Sequence, residues 1–193
     1  MDKQTIRKQM IATLNELSPE AHAQLSRKIK DRIIRLTEFN KAEIIGITVS
    51  RYPEVDTRLI IEAAWSMGKQ IAVPRCKSNT REMDFRLLTS FDDLESVYMD
   101  LLEPIVMKTV SVSKEQIDLQ IVPGVVFSSE GYRIGFGGGY YDRYMVDYKG
   151  ETISLCFESQ TGYDVPVEQH DMPVSKMITE SRSINCQEIR DSR

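Results

Sequence analysis

Amphipathic patterns in the first third of the chain predict three helices. Between residues 2 and 17, apolar side chains recur at helical spacing and charged side chains fill the positions between them. Ser18 and Pro19 then supply an N-cap residue and a proline at the first position of a second helix. Thr57 is placed to cap a third helix that runs to Met67 and is closed by Gly68. The apolar positions of the first two helices are Ile6, Met10, Ile11, Leu14 and Leu17, then Leu25, Ile29, Ile33 and Leu36.

Short, almost wholly apolar runs predict strands that are covered on both faces, as in a parallel sheet. They lie at residues 44–49, 70–73, 83–88 and 119–122, and later at 152–157 and 176–180. Residues 89–117 show little periodicity, so we interpret them as a short helix plus loop, and aromatic spacing predicts another helix over 141–148. Because strands and helices alternate, we predict one three-layer α/β/α domain over residues 1–193, with a mostly parallel sheet and a tail that frays from about residue 187.

Composition and charge narrow the classes of function. Hydrophobic residues make up 41% and charged residues 28% of the 193, as in an ordinary soluble globular protein. The net charge of −4 gives no indication of binding to nucleic acid or to an anionic membrane. The N-terminal residues are too polar for a secretory signal, and no apolar run approaches the roughly 18 residues that span a bilayer. Three scattered cysteines without metal-ligand spacing indicate reduced thiols, so we expect a cytoplasmic protein, and no obligate protein partner is evident.

The segment from Pro123 to Asp142 carries the strongest functional signal. Half of the ten glycines lie between Gly131 and Gly139, directly after an apolar run. Glycine costs backbone entropy, so this density indicates close approach of backbone N–H groups to a bulky anion such as a polyphosphate. The pattern matches neither common phosphate fingerprint, because no lysine follows the glycines and Tyr140 stands where a third glycine would be. Phosphate binding and a purely structural glycine turn both remain open on these residues alone.

Two charged residues beside the glycines indicate what chemistry the loop would support. Arg133 offers a planar fork of donors that suits phosphate oxygens. Asp142 falls in the first turn of the predicted helix, where an acidic residue complements the helix dipole. If phosphates occupy the loop, however, this carboxylate would repel them unless a cation such as Mg²⁺ bridges the two.

A larger set of positions carries a family resemblance. In the glycine segment they are Pro123, Gly124, Phe127, Gly131, Arg133, Gly135, Gly137, Gly139, Tyr140, Tyr141 and Asp142, and elsewhere a basic first helix and residues 54–57, 73–75, 103–104 and 165–171. Together they resemble the 5-formyltetrahydrofolate cyclo-ligase family, also called methenyltetrahydrofolate synthetases. The resemblance implies closure of 5-formyltetrahydrofolate to 5,10-methenyltetrahydrofolate with ATP and Mg²⁺, releasing ADP and phosphate. The implied intermediate is a phosphorylated formyl group, an imidate phosphate, which N10 attacks.

The resemblance also implies three groups of binding residues. ATP would be bound by Lys3, Gln4, Thr5, Ile6 and Arg7, and by Arg133, Ile134, Gly135, Phe136, Gly137, Gly138, Gly139, Tyr140 and Tyr141. The metal ligands would be Asp142 and Asp171, and the folate contacts would be Val49, Glu54 and Tyr140.

Several of these residues have an ordinary interpretation when they are taken singly. The charged ones would be solvated side chains, Val49 would be part of the core, and Tyr140 would pack on the sheet. Arg75 is a further candidate for contact with phosphate or with the glutamate tail of the folate. His170 is a candidate general base, for which an exposed loop position is the ordinary interpretation.

Two other classes of function stay open. Sugar-phosphate isomerases and CoA transferases have a related α/β architecture and also use glycine-rich phosphate loops, but they need no ATP. A non-catalytic module for nucleotide or folate would bind these ligands without forming product. The sequence has no Gly-x-Ser-x-Gly elbow and no convincing Cys–His pair. This suits phosphoryl transfer, which depends on positioning and charge neutralisation rather than on a nucleophilic side chain.

Overall fold

The structure, a computed structural model, describes residues 1–192 and alternates helices with strands. Among these residues the helices are α1 (Lys3–Asn15), α2 (Pro19–Ile33), α3 (Thr37–Lys41), α4 (Arg58–Ser66), α5 (Tyr140–Met145) and α6 (Cys186–Asp191). The strands are β1 (Ile44–Gly46), β2 (Gln70–Lys77), β3 (Glu82–Leu88), β4 (Leu94–Ser96), β5 (Leu102–Pro104), β6 (Val110–Ser111), β7 (Leu119–Ile121), β8 (Val126–Phe127), β9 (Arg133–Ile134), β10 (Glu151–Leu155), β11 (Lys176–Ile178) and β12 (Ser183–Asn185).

One large sheet organises the molecule. Its strands lie in the order β12-β11-β10-β7-β1-β2-β3-β6, and β4–β5 and β8–β9 form separate two-stranded ribbons. The five strands from β11 to β2 are parallel to one another, whereas β12, β3 and β6 pair antiparallel at the edges. The predicted mostly parallel sheet is therefore confirmed.

Helices cover both faces of this sheet. Successive residues of a strand point to opposite faces, and in β2 the buried Ile71 and Val73 pack in one hydrophobic cluster while Ala72 packs in another. The first cluster takes its helical residues from α1, α2, α3 and α4, and the second from α5 and α6. The three-layer α/β/α arrangement predicted from the sequence is confirmed.

The strand order identifies the edge of the sheet where a ligand would bind. From β1 the chain crosses to β2 on one side, and it later returns to place β7 on the other side of β1. Open α/β sheets bind ligands outside the carboxyl ends of the strands at such a reversal. The loop after β1 and the segment after β7, which holds the glycine residues, both lie at this edge.

Local sequence signals account for where the helices start and stop. Asp2 caps α1 by accepting the Thr5 N–H at 2.8 Å, and Ser18 caps α2 by accepting the Ala21 N–H at 3.1 Å. Gly68 takes a left-handed φ of 75° after α4, as predicted for a residue that closes a helix. Within residues 1–192, no helix has both the length and the apolar character that a membrane span requires.

Two parts of the chain differ from the sequence prediction. Residues 89–117 form β4, β5, β6 and single 3₁₀ turns instead of a short helix plus loop. Buried Arg86 holds this segment, because its guanidinium donates to the hydroxyl and the carbonyl oxygen of Thr109 at 2.9 and 2.6 Å. The tail that we predicted to fray is helical to Asp191, and Arg190 ties it down by donating to the carbonyl oxygens of Val174 and Glu130.

Candidate active site

The loop after β1 carries Val49 and Glu54, the predicted folate contacts. Val49 is buried three residues beyond the end of β1 as part of the core. Thr57 closes the loop, because its hydroxyl donates to the Thr48 carbonyl oxygen at 2.7 Å and accepts the Ser50 N–H at 2.9 Å. Thr57 therefore stands before α4 as predicted, but its hydroxyl fixes the loop and makes no helix cap.

The carboxyl group of Glu54 has a strongly perturbed pKa. Burial raises the pKa to about 7, and the N–H group and charge of Arg51 offset only part of this effect. The Glu54 backbone is also held, because Nε2 of His22 on α2 lies 2.7 Å from its carbonyl oxygen. A carboxyl group that is half ionised near neutral pH is a candidate for a functional role.

The β8–β9 hairpin places Arg133 beside the glycine loop. Its pairs are Val126 with Ile134 and Phe127 with Arg133, and Gly131 closes the turn at a φ of 87°. The Arg133 side chain is only 4% exposed, and its Nη1 donates to the Met172 carbonyl oxygen at 2.6 Å. Burial lowers the pKa of Arg133, but guanidinium groups keep their charge in proteins. The hairpin thus presents a buried cation at the ligand-binding edge.

Glycine is required by the backbone of the loop between Gly135 and α5. Gly137 and Gly139 have φ values of 92° and 67°, which side chains with a Cβ rarely adopt. Arg7 of α1 donates from Nε to the Gly135 carbonyl oxygen at 2.6 Å and so joins the first helix to the loop. The helix that follows has six residues and is shorter than the predicted one, with Gly139 before it and no side-chain cap.

The predicted metal ligands Asp142 and Asp171 come together although they are far apart in sequence. Oδ1 of Asp142 accepts from Nη2 of Arg133 at 3.2 Å and from the Met172 N–H at 3.1 Å. Because Met172 follows Asp171 directly, this contact brings the Asp142 carboxylate to the backbone next to Asp171.

Asp171 is paired with the first helix. Its Oδ2 accepts from Nζ of Lys3 at 2.7 Å and from the Glu168 N–H at 2.8 Å. Burial alone would raise the pKa of Asp171, but the hydrogen bonds from Lys3 and Glu168 outweigh it and lower the pKa. Lys3 also lies 3.0 Å from the Glu168 carboxylate, so one ammonium group serves two acids.

This donor set suits a metal that arrives with phosphate. No cluster of three or more His, Cys, Asp or Glu side chains able to hold an ion occurs in the part of the chain that the structure describes. Mg²⁺ commonly takes only one or two carboxylates and completes its octahedron with phosphate oxygens and water. Asp142 and Asp171, with their orientation fixed by backbone N–H groups, fit that requirement.

The other residues of the predicted N-terminal segment differ in their surroundings. Lys3 and Arg7 lie one turn apart on α1 and both reach the site. Gln4 and Thr5 are exposed, and the Thr5 hydroxyl donates to Asp2. Ile6 packs against the main hydrophobic cluster. ATP contact by these three middle residues stays a prediction.

The two tyrosines that open α5 have different environments. Arg81, which the sequence reasoning did not single out, places its guanidinium carbon 5.7 Å from the centre of the Tyr140 ring. The Tyr141 hydroxyl is buried and has no hydrogen-bond partner among the described residues. Burial raises the pKa of Tyr141 well above its usual value, and the charges of Arg133 and Glu54 both act on it. Both the glycine segment and the loop after β1 thus contribute charge to the surroundings of Tyr141.

Arg75 and His170 are the remaining candidates. Nη1 of Arg75 donates to the Glu95 carboxylate at 2.7 Å and to the Pro104 carbonyl oxygen at 2.9 Å, so the β4–β5 ribbon supplies its partners. The structure does not bring it into the group around Arg133. The side chain of His170 is 70% exposed and lies 3.8 Å from Asp171, at the rim of the carboxylate pair.

Comparison with known proteins places the chain in a family. The model of the 5-formyltetrahydrofolate cyclo-ligase family matches residues 1–180. The chain belongs to the 5-formyltetrahydrofolate cyclo-ligase family. This confirms the family and the enzyme class that the glycine segment predicted.

Relatives and solved structures of this family cover nearly the whole chain. The 5-formyltetrahydrofolate cyclo-ligase of Mus musculus is 29% identical over 92% of this chain and 93% of its own length. The structure of Aquifex aeolicus 5,10-methenyltetrahydrofolate synthetase has a TM-score of 0.85 at 28% identity, covering 97% of this chain and 94% of that one. A 5,10-methenyltetrahydrofolate synthetase from Mycoplasma pneumoniae has a TM-score of 0.75 at 25% identity, covering 93% and 99%.

Proposed function

We propose that this chain closes 5-formyltetrahydrofolate to 5,10-methenyltetrahydrofolate in a reaction that consumes ATP in the presence of Mg²⁺ and releases ADP and phosphate. The observation that carries the proposal is that Arg7 bonds to the glycine loop while Lys3 and Arg133 pair with the carboxylates of Asp171 and Asp142. Membership of the cyclo-ligase family supports the choice of substrate.

The cations and the loop form the nucleotide half of the site. Arg133 is buried and Arg7 is bonded to the loop backbone, so both are held where phosphate oxygens would be bound. Glycines at positive φ leave the loop N–H groups accessible to a bulky anion. Mg²⁺, when bound by Asp142, Asp171 and phosphate oxygens, would neutralise part of the phosphate charge.

The loop after β1 forms the folate half of the site. A pterin ring presents N–H donors, and the Glu54 carboxylate, on a backbone held by His22, is a suitable acceptor for them. Tyr140 offers a flat face for the pterin or aminobenzoyl ring, and Arg81 lies against that tyrosine. We place the two halves side by side, as transfer between their ligands requires, because Arg133 and Glu54 both contribute charge to the surroundings of Tyr141.

The chemistry then follows from the position of the groups. As the bond between the γ-phosphorus and ADP breaks, the formyl oxygen bonds to phosphorus and becomes a good leaving group. N10 attacks the formyl carbon, the carbon–oxygen bond breaks, and the N10 proton leaves with the phosphate. Positioning and charge neutralisation by Lys3, Arg7 and Arg133 are what the protein contributes to such a transfer.

The test is formation of the methenyl chromophore in the near ultraviolet from 5-formyltetrahydrofolate. We expect turnover that needs both ATP and Mg²⁺ and stops when the metal is chelated. Asp142→Asn should lower turnover about 100-fold or more through weakened metal binding. Asp147→Asn is the matched control, because Asp147 is exposed and pairs with Lys114.

Each alternative predicts a different result. A binding module would bind folate and nucleotide without product, and Asp142→Asn would leave its function largely intact. An isomerase-like or CoA-transferase-like enzyme would be stabilised against heat by its own substrate but not by ATP with Mg²⁺. Folded protein that forms no methenyl product with ATP and Mg²⁺ would refute the proposal.

A further inference from the structure

Four charged side chains in the site form two hydrogen-bonded pairs. Lys3 pairs with Asp171 at 2.7 Å, and Arg133 pairs with Asp142 at 3.2 Å. Met172 links the pairs, because its carbonyl oxygen accepts from Arg133 and its N–H group donates to Asp142. The two carboxylates that would bind metal are thus already paired with two of the cations that would bind phosphate.

This pairing makes the site unfavourable for either ligand alone. A divalent cation that enters by itself must displace Lys3 and Arg133, which already neutralise the two carboxylates, or be repelled by their positive charges. A polyphosphate entering by itself would meet Asp142 and Asp171 at close range. When both enter together, the carboxylates can turn to the metal and the cations to the phosphates, so all four charges keep an opposite partner, and only exposed Glu168 loses its contact with Lys3.

The two cations differ in their freedom to move. The Arg133 side chain is 4% exposed and keeps its bond to the Met172 carbonyl oxygen, so it can release Asp142 only by a small change at Nη2. The Lys3 side chain is 25% exposed and belongs to the first residue of α1. Its flexible stem can carry the ammonium group from Asp171 to a phosphate oxygen.

We propose that Lys3 is a positioning residue that holds Asp171 in the nucleotide-free protein and transfers to phosphate when the metal takes the carboxylate, so that Mg²⁺ and nucleotide bind as one unit. This inference rests on the proposed ATP and Mg²⁺ site. It adds that the metal affinity of the free protein is suppressed by an internal cation.

Titration calorimetry tests the inference without turnover. The three titrants are Mg²⁺ alone, ATP in the presence of a chelator, and a non-hydrolysable ATP analogue with Mg²⁺. In the wild-type protein we expect Mg²⁺ to raise nucleotide affinity roughly 10- to 100-fold, and Mg²⁺ alone to bind too weakly to saturate at concentrations that saturate the ternary complex. Lys3→Met should raise the affinity for Mg²⁺ alone at least about tenfold and reduce the coupling by a similar factor. Lys8→Met is the control, because Lys8 is an exposed lysine on the same helix.

Other outcomes distinguish failure of the Lys3 inference from failure of the proposed function. Equal coupling in Lys3→Met and Lys8→Met, or wild-type binding of Mg²⁺ that nucleotide does not change, would overturn the inference and leave the proposed function standing. Absence of both nucleotide binding and methenyl formation in the wild-type protein would overturn the proposed function and the inference with it. If thermal denaturation shows that Lys3→Met is unfolded, Lys3→Arg replaces it as the test. Lys3→Arg should retain the wild-type coupling between Mg²⁺ and nucleotide, and loss of that coupling in a folded Lys3→Arg protein would contradict the proposed transfer of the cation from Asp171 to phosphate.

Discussion

Replacing Glu54 with glutamine should make the protein more stable at alkaline pH, although it removes a charged side chain. Burial raises the pKa of Glu54 from an ordinary 4.5 to about 7, so the folded protein binds this proton more tightly than the unfolded chain. The carboxyl group therefore contributes its full stability below pH 4.5, and that contribution is lost as the pH rises through about 7.

The size of the effect follows from the two pKa values. Because the unfolded chain ionises Glu54 at lower pH than the folded protein does, the unfolding free energy should fall by about 1 kcal/mol at pH 5 and by about 3 kcal/mol at pH 8. A glutamine resembles the protonated carboxyl group and carries no such cost. Glu54→Gln should thus exceed the wild-type protein in stability by about 1 kcal/mol at pH 5 and about 3 kcal/mol at pH 8.

Urea denaturation of both proteins across this pH range measures the difference directly. The charge of Arg51 and the His22 ring that contacts the Glu54 backbone are present in both proteins, so their contributions largely cancel. Glu62→Gln is the control, because it removes an exposed carboxylate on α4. If the difference in unfolding free energy between Glu54→Gln and the wild-type protein does not change with pH, the claim that burial raises the pKa of Glu54 is refuted.

The same ionisation should appear in the kinetics. With a pKa of about 7, roughly one tenth of Glu54 is ionised at pH 6 and nine tenths at pH 8. If the ionised form accepts the pterin N–H groups, the KM for 5-formyltetrahydrofolate should rise about tenfold from pH 8 to pH 6. In Glu54→Gln the KM should be high and flat over this range. A wild-type KM that does not change with pH would refute the assignment of Glu54 as the pterin acceptor.

Two further substitutions test the nucleotide half of the site. Gly137→Ala and Gly162→Ala should each lose about 1–2 kcal/mol of stability, because both glycines have positive φ. Only Gly137→Ala should also raise the KM for ATP, since the backbone strain would fall in the loop that Arg7 contacts, whereas Gly162 lies outside that loop. Arg133→Lys should raise the KM for ATP at least about tenfold because lysine lacks the planar fork, while Arg182→Lys, at an exposed pair with Glu158, should not. Equal KM values within either matched pair would contradict these roles.

The parts of the fold that the sequence predicted are those that depend on local signals. Ser18 and Pro19 mark the start of α2 because a cap bond and a fixed φ act within one turn. The strands β1, β2, β7, β10 and β11 were visible as apolar runs because helices bury them on both faces. The ends were less predictable: β1 stops at Gly46 although the apolar run continues to Val49.

The short strands β4, β5 and β6, between β3 and β7 in the chain, could not be predicted in the same way. β4, β5 and β6 have two or three residues each, too few for any period to be recognised. Their positions depend on partners elsewhere, such as Arg86 of β3, which bonds to Thr109. A buried arginine with a threonine partner leaves no pattern in the sequence around either residue.

The candidate site shows the same division. Glycine density and the adjacent Arg133 pointed to the loop because the backbone there needs positive φ values at Gly137 and Gly139. The pairing of Lys3 with Asp171 joins residues 168 positions apart, and only the family resemblance suggested that both belong to one site. Contacts of this kind come from the packing of α1 beside the glycine segment, which no local pattern encodes.

Arg75 and Arg133 illustrate why one missing element changes the interpretation of a site. From the sequence, both are arginines near strand ends and both are candidates for phosphate contact. In the structure the β4–β5 ribbon, which the sequence did not predict, gives Arg75 a carboxylate and a carbonyl oxygen as partners. Arg133 instead bonds to Asp142 and Met172, beside the glycine loop. An arginine whose acceptors lie outside the site must lose them to bind phosphate, whereas Arg133 needs only to exchange Asp142 for a phosphate oxygen, so the nucleotide site should depend on Arg133 and be indifferent to Arg75.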